Sequence, residues 1–272
     1  MNRKFHFTKA TRKSLADYAL SGPDGGGSKA SRPEELCHAA LTHTGKVRPT
    51  NQDVLVVSEK LHLYGVADGM GGHKGGETAS AGCRDRVLEA LQEQTHSLEA
   101  LRKAIEEANT ALFRQQQEDE NLSGMGTTLS LVWFSESFAY LAHVGDSRIY
   151  CLRDGELQQM TDDHSLVGEL VRMGELTPEQ AEKHPMRNVI LRAVGTEEGI
   201  KVDLAVEERR AGDVWLICSD GLHGMVSDKD MAEILKAHDV DKAADLLMGA
   251  ALNAGGRDNI SLVVLEDKEG AR

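Results

Sequence analysis

The sequence predicts an α+β fold in four layers, a four-layer αββα sandwich in which two antiparallel β-sheets pack face to face and are flanked by antiparallel helix pairs. Three observations carry that expectation. Short apolar strand-like runs succeed one another through links of hairpin length, which only antiparallel neighbours allow. Amphipathic stretches at helical spacing come in consecutive pairs, as they do where helices cover a sheet. The chain has 272 residues, 40% apolar and 28% charged, enough to bury a real core. A doubly wound parallel sheet is the competing architecture, and the hairpin-length links weaken it.

Residues 1–36 stand apart from the rest of the chain. They hold seven Lys/Arg against four Asp/Glu, and the stretch SGPDGGGSKASRP carries neither helical nor strand periodicity. They read as a flexible basic N-terminal extension of net charge +3, which leaves −16 on the remainder, the domain expected over 37–272. Val54–Val57 and Leu61–Ala67 read as strands, the second running straight into Asp68. Glu77–Leu91 reads as a helix with Ala79, Cys83, Val87 and Leu91 on one face. A second helix starts from Ser97 as N-cap, with Leu98, Leu101, Ile105, Ala108 and Leu112 at helical spacing.

Thr127–Phe134, Phe138–Val144, Arg148–Leu152 and Leu157–Met160 form a meander, with a hairpin signal at Asp154-Gly155. An amphipathic, non-strand insertion, 165–195, interrupts the strands and contains a capping box with Pro in the first turn, Thr177-Pro178-Glu179-Gln180. Val214–Cys218 is a continuous apolar strand. Helices start from about Ser227 and Asp241, the second stopped by Gly255-Gly256, and Ile260–Leu265 closes the domain as a strand.

The bulk properties exclude several function classes. A formal charge of −13 argues against nucleic acid, whose binding needs clustered Lys and Arg to displace counterions. The four cysteines, Cys37, Cys83, Cys151 and Cys218, include no CxxC pair, so neither a zinc ribbon nor a disulfide framework is indicated and a reducing compartment fits. No apolar run reaches the roughly 18 to 20 residues that span a bilayer, and the N-terminus lacks a secretory signal. A cytoplasmic location without membrane attachment is the expectation.

The chemistry lies in four aspartates at the ends of apolar runs, inside Gly-rich phrases: VADGMGG (Asp68), HVGDSR (Asp146), ICSDG (Asp220) and GGRDNIS (Asp258). Carboxylates brought to one rim of a sheet make a hard-oxygen cage suited to Mg²⁺ or Mn²⁺. Asp68 and Asp220 come after strands and Asp258 precedes one, so antiparallel neighbours bring all three to the same end. Gly69 and Gly221 let backbone approach an ion closely. The pattern suits two cations sharing one carboxylate, with water or hydroxide between them, and in-line hydrolysis without a protein nucleophile. No cysteine is followed by five residues and Arg, and no GxxxxGK[ST] phrase occurs. Arg48, in GKVRPTNQD, supplies a guanidinium that matches two phosphate oxygens and is the candidate substrate anchor. Asp163-His164-Ser165 is not read as a triad, since sequence neighbours rarely converge as nucleophile, base and orienter; His164 reads as a structural or flap-hinge residue.

The phrases RPTNQD, VADGMGGH, VGDSR, CSDG and GGRDNIS run in this order from Arg48 to Ser261. Together they resemble the metal-dependent serine/threonine protein phosphatases of type 2C, most nearly the bacterial branch that opposes Hanks-type kinases. The resemblance implies a β-sandwich flanked by two helix layers and hydrolysis of phosphoserine or phosphothreonine monoesters. It also implies that Asp68 bridges two Mn²⁺ or Mg²⁺ ions, that Gly69 gives its carbonyl to one, and that Asp220 and Asp258 hold the other. Asp53 supports the cluster, and Asp146 joins Asp220 in a possible third, weaker site. Two positions depart from the family pattern. Gln52 stands where Glu is frequent, and Asp68-Gly69-Met70 replaces the DGH of eukaryotic relatives, so the general-acid role is assigned to His73, the nearest imidazole.

The 165–195 insertion falls where the family places a flap, and Arg172, Met173, Arg187, Asn188 and Arg192 are the candidates there for contact with a phosphopeptide. The expected partners are phosphorylated proteins and a cognate Ser/Thr kinase, with no nucleic acid and no membrane, and the expected state is a monomer. Hydrolysis of a small phosphorylated metabolite at the same metals, or an inactive sensor or scaffold of the same fold, are the other readings.

Overall fold

The computed structural model describes residues 36–268; the extension expected over 1–36 lies outside them apart from Leu36. Eleven strands are formed among the described residues: β1 (Leu36–His43), β2 (Asp53–Ser58), β3 (Leu63–Met70), β4 (Gly126–Thr127), β5 (Leu129–Phe134), β6 (Phe138–Val144), β7 (Arg148–Arg153), β8 (Glu156–Gln159), β9 (Asp203–Glu208), β10 (Val214–Cys218) and β11 (Ile260–Asp267). One sheet runs β1-β11-β10-β7-β8; the other runs β2-β3-β5-β6-β9, with β4 pairing β3. Every paired neighbour is antiparallel, which removes the doubly wound alternative.

Strand alternation sorts the core into three layers. In β3 and β5, Leu63, Ala67, Leu129, Leu131 and Trp133 face helices α1 (Gly72–Leu91) and α2 (Leu98–Glu118). In β10 and β11, Leu216, Cys218, Ile260, Leu262 and Val264 face α6 (Asp228–Ala237) and α7 (Val240–Asn253). The intervening residues, among them Tyr64, Val66, Val132, Phe134, Trp215, Ile217, Val263 and Leu265, fill the space between the sheets. Because these strands are buried on both faces, they read in the sequence as unbroken apolar runs rather than alternating ones.

Several elements differ from the sequence reading, among them β1, for which no strand bounds are read. α1 begins at Gly72 rather than Glu77: the glycines that depress helix propensity there are needed for close packing, Gly76 against Gly69 of β3 and Gly75 against Met125. β3 continues through Met70, so Asp68 and Gly69 lie within a strand rather than beyond its end. β9 has no counterpart in the sequence pattern: its sequence DLAVEE is an edge strand with no fully buried position. Other details hold. Asp154 and Gly155 adopt φ of 52° and 76°, as a type I′ hairpin requires. Thr177 and Gln180 form the reciprocal capping box, with Pro178 in the first turn of α4 (Pro178–Glu182).

Ser97 caps α2 by accepting a hydrogen bond from Ala100 N at 3.1 Å. Ser97→Ala is expected to cost about 1 kcal/mol and to lower Tm by roughly 2–4 °C in a thermal melt, with hydrolytic activity at 25 °C unchanged.

The interruption between β8 and β9 leaves and returns through neighbouring residues. Ser165 bridges Ile190, Leu166 N donates to Val189 O, and Leu191 N donates to His164 O. Within it lie α3 (Leu166–Arg172) and α4. Its exit is tied to α2: Asn109 Oδ1 accepts from Gly195 N at 2.7 Å, Asn109 Nδ2 donates to Glu197 O and Glu198 O, and Gln116 Nε2 donates to Gly195 O.

At the far end of the sandwich the Arg209 and Asp267 side chains are wholly inaccessible. Nε and Nη2 of Arg209 donate to Oδ2 and Oδ1 of Asp267 at 2.8 and 2.9 Å, and Nη1 donates to Ser135 O. The guanidinium lies 5.4 Å from the Phe134 ring centroid.

Candidate metal centre

The strand register places the acidic residues. Asp53 opens β2 directly opposite Asp68 in β3. In the other sheet, Cys218 is paired with Leu262, which puts Asp220, just beyond β10, next to Asp258, just before β11. Asp220 begins the short helix α5 (Asp220–His223). Asp146 lies in the turn that carries the chain from β6 in one sheet to β7 in the other.

Hydrogen bonds fix Asp68, Asp53 and Asp146. Thr128 N and Thr127 Oγ1 donate to Asp68 O, both at 2.9 Å, and Asp68 N donates to Thr128 Oγ1. Ser219, fully buried, joins the two sheets: its hydroxyl donates to Asp53 Oδ2 at 2.7 Å and accepts from Ser261 N. Asp146 O faces His223 Nε2 at 3.0 Å, and Gly145 N donates to His164 Nδ1. Gly69 and Gly221 are demanded by proximity: a Cβ on Gly69 would stand 2.1 Å from Gly76 O, and one on Gly221 would stand 1.9 Å from Asn259 O.

The electrostatics mark the rim as a place for positive charge. Burial pushes Asp68 well above the usual carboxylate range, and the fields of Asp53, Asp220, Asp146 and Asp258 add to that. Asp220 is raised in the same way, by burial and then by Asp146, Asp258 and Asp53. Burial raises Asp53 to about 6 against the opposing hydrogen bond from Ser219, and it raises Asp146 to about 7, with Asp163 contributing. Oδ1 of Asp53, Asp146 and Asp220 are buried with no hydrogen-bond partner, an arrangement that costs free energy unless a cation supplies the missing interaction. Among the described residues no three such side chains close on one point; the grouping is an open rim rather than a single-ion cage. Hard carboxylate oxygens beside accessible backbone fit Mn²⁺ or Mg²⁺.

The raised carboxylates give a pH dependence of definite sign. Asp53 and Asp146 bind protons more tightly in the folded, metal-free protein than in the unfolded chain. Their contribution to stability is therefore fully present below about pH 4 and is lost as pH rises through 6 to 7. A cation must displace those protons. Calorimetric titration of Mn²⁺ in two buffers of different ionisation enthalpy is expected to show proton release at pH 6 that fades by about pH 8.5; a proton count independent of pH would contradict the assignment.

The structure also places the remaining candidates. Arg48 is half exposed, and its Nη2 meets Asp258 Oδ2 at 2.6 Å, a hydrogen bond that raises the guanidinium above its ordinary value. His73 is in the first turn of α1, and its side chain lies outside the described residues. In the flap, Arg172 donates to Asp163 O and pairs with Glu169. Arg192 pairs with Asp203 at 2.8 Å and reaches His164 Nε2 at 3.0 Å. Arg187 and Asn188 are exposed. Sequence reasoning missed Ser219, Asn259, His223 and Thr128: the first two lie inside the phrases ICSDG and GGRDNIS and His223 two residues after the former, whereas Thr128 meets Asp68 from 60 positions away with no local signal.

An αββα sandwich with such an aspartate rim defines a metal-dependent phosphatase. Residues 45–247 match the family Protein phosphatase 2C, and the chain belongs to that family, as a serine/threonine phosphatase of the bacterial type. It is 40% identical over 235 residues to the serine/threonine phosphatase stp of Listeria monocytogenes, covering 83% of this chain and 93% of that protein. The crystal structure of the Mycobacterium tuberculosis serine/threonine phosphatase PstP/Ppp superposes with a TM-score of 0.81 at 39% identity, over 86% of this chain and 99% of that one. A structure of the PstP catalytic domain in complex with two manganese ions gives 0.79 at 38%, with the same coverage.

Proposed function

We propose that the protein removes phosphate from phosphoserine and phosphothreonine in cytoplasmic proteins and so opposes a cognate Hanks-type kinase, acting as a monomer. The observation that carries this reading is the set of aspartates, Asp53 and Asp146 buried and Asp68, Asp220 and Asp258 partly so, that lie in one another's fields at one end of the sandwich, with an unpartnered oxygen on Asp53, Asp146 and Asp220. Asp68 and the Gly69 carbonyl, with Asp220 and Asp258, are the residues to hold two Mn²⁺ or Mg²⁺ ions. Asp53, oriented by Ser219, supports them, and Asp146 with Asp220 holds a third. Bound cations supply an activated water and neutralise charge on the phosphoryl group.

The chain's own groups do the rest. Arg48 receives the phosphate oxygens, His73 delivers a proton to the leaving oxygen, and Arg187 and Asn188, with Arg172 and Arg192, border the path of the peptide. No described helix is long and apolar enough to cross a membrane.

The test compares Mn²⁺-dependent phosphate release from a phosphothreonine peptide with release from a panel of phosphorylated metabolites, for wild type and Arg48→Ala. The peptide is expected to be preferred. Arg48→Ala is expected to lower kcat/KM on it by about 10- to 100-fold, the worth of a charged hydrogen bond. Preference for a metabolite by orders of magnitude would replace the protein substrate with a small one.

A further inference from the structure

We propose that Asn259 is a positioning residue for the phosphate anchor: its carboxamide clamps residues 44–52 so that Arg48 is held at the aspartate rim. This rests on the reading of Arg48 as that anchor. Asn259 is 5% exposed and uses three of its bonds on one loop. Nδ2 donates to Thr44 O and to Thr50 O, each at 2.9 Å, and Oδ1 accepts from Gln52 N at 2.8 Å. Thr44 and Thr50 stand on either side of Arg48, so one side chain closes the loop across its anchor.

Neighbouring contacts complete the clamp. Lys46 N donates to Gly256 O at 2.7 Å, and the Arg48 guanidinium rests on Asp258, the residue before Asn259. At the loop's far end Gln52 O accepts from Ser80 Oγ at 2.6 Å and from Gly69 N at 3.2 Å. The segment carrying Arg48 is thereby tied both to the start of β11 in one sheet and to β3 in the other.

The chemistry selects asparagine. Two carbonyls and one N–H must be met by a planar group with two donors and an acceptor. Aspartate offers acceptors only and would face two carbonyl oxygens, and glutamine sets the same fork one methylene farther out. The benefit is preorganisation: a loop fixed before substrate arrives spends no binding energy on being ordered.

A double-mutant cycle tests this. Arg48→Ala, Asn259→Ala and the pair are assayed with a phosphothreonine peptide at saturating Mn²⁺, with Mn²⁺ affinity measured by calorimetry and folding by circular dichroism. Asn259→Ala is expected to lower kcat/KM by about 10- to 100-fold, chiefly through KM, and to change it less than about twofold when Arg48 is already Ala. Asn259→Ser, which keeps one short hydroxyl donor, serves where the Ala variant is not recovered folded. The same fold-loss in both backgrounds, or a loss matched by an equal fall in Mn²⁺ affinity, overturns the clamp alone. An Arg48→Ala enzyme as active as wild type removes the anchor, and the clamp with it.

Discussion

Asp68→Asn is expected to reduce Mn²⁺-dependent phosphate release by more than about 100-fold, since changes one step removed from a metal already cost 10- to 100-fold. Asp68 is the carboxylate on which the fields of Asp53, Asp220, Asp146 and Asp258 all converge. Its backbone is held independently of its side chain by Thr127 and Thr128, so the substitution removes a charge without moving the strand. A second readout separates loss of charge from loss of fold. In chelator the variant is expected to melt no lower than wild type, because an amide at this position stays neutral among the neighbouring carboxylates without a proton or a cation. Equal hydrolytic rates for the two proteins would remove Asp68 from the reaction. A lower melting temperature in chelator would show that the carboxylate's role is structural.

Asp267→Ala is expected to destabilise the fold by about 3–5 kcal/mol, because it leaves the Arg209 guanidinium buried without its counter-charge. For a domain of this size that corresponds to a fall in Tm of roughly 6–20 °C, read by calorimetry. The paired change Arg209→Met with Asp267→Leu is expected to recover most of the loss, since replacing both members with apolar side chains removes the stranded charge. Asp267 ends β11 while Asp258 precedes its first residue, so the pair and the aspartate rim lie at opposite ends of one strand. Mn²⁺ affinity of the folded fraction is therefore expected to be unchanged. Full stability of the single variant would show that water reaches the guanidinium.

What the sequence disclosed was the part that local physics controls. β6 and β10 are recovered residue for residue, because each is a continuous apolar run bounded by turn residues. The caps at Ser97 and Thr177 are local in the same sense. The aspartates were legible because each stands at the end of an apolar run in a Gly-rich phrase, where a charge has no structural excuse. The glycines of α1 misled the helix boundary: their requirement comes from Gly69 and Met125 packed against them, a tertiary contact that propensity does not contain. Ser219 escaped notice for a related reason. Its value is a hydrogen bond to Asp53, 166 positions away, and nothing in the phrase ICSDG distinguishes a sheet-joining hydroxyl from an ordinary N-cap.

The meeting of Ser165 with Ile190 has a consequence for how such enzymes diversify. An excursion whose two ends already touch, and whose exit is stapled to α2 through Asn109 and Gln116, behaves as an interchangeable cassette. A change of length between its ends is confined to the excursion itself, since the chain leaves and returns at one place.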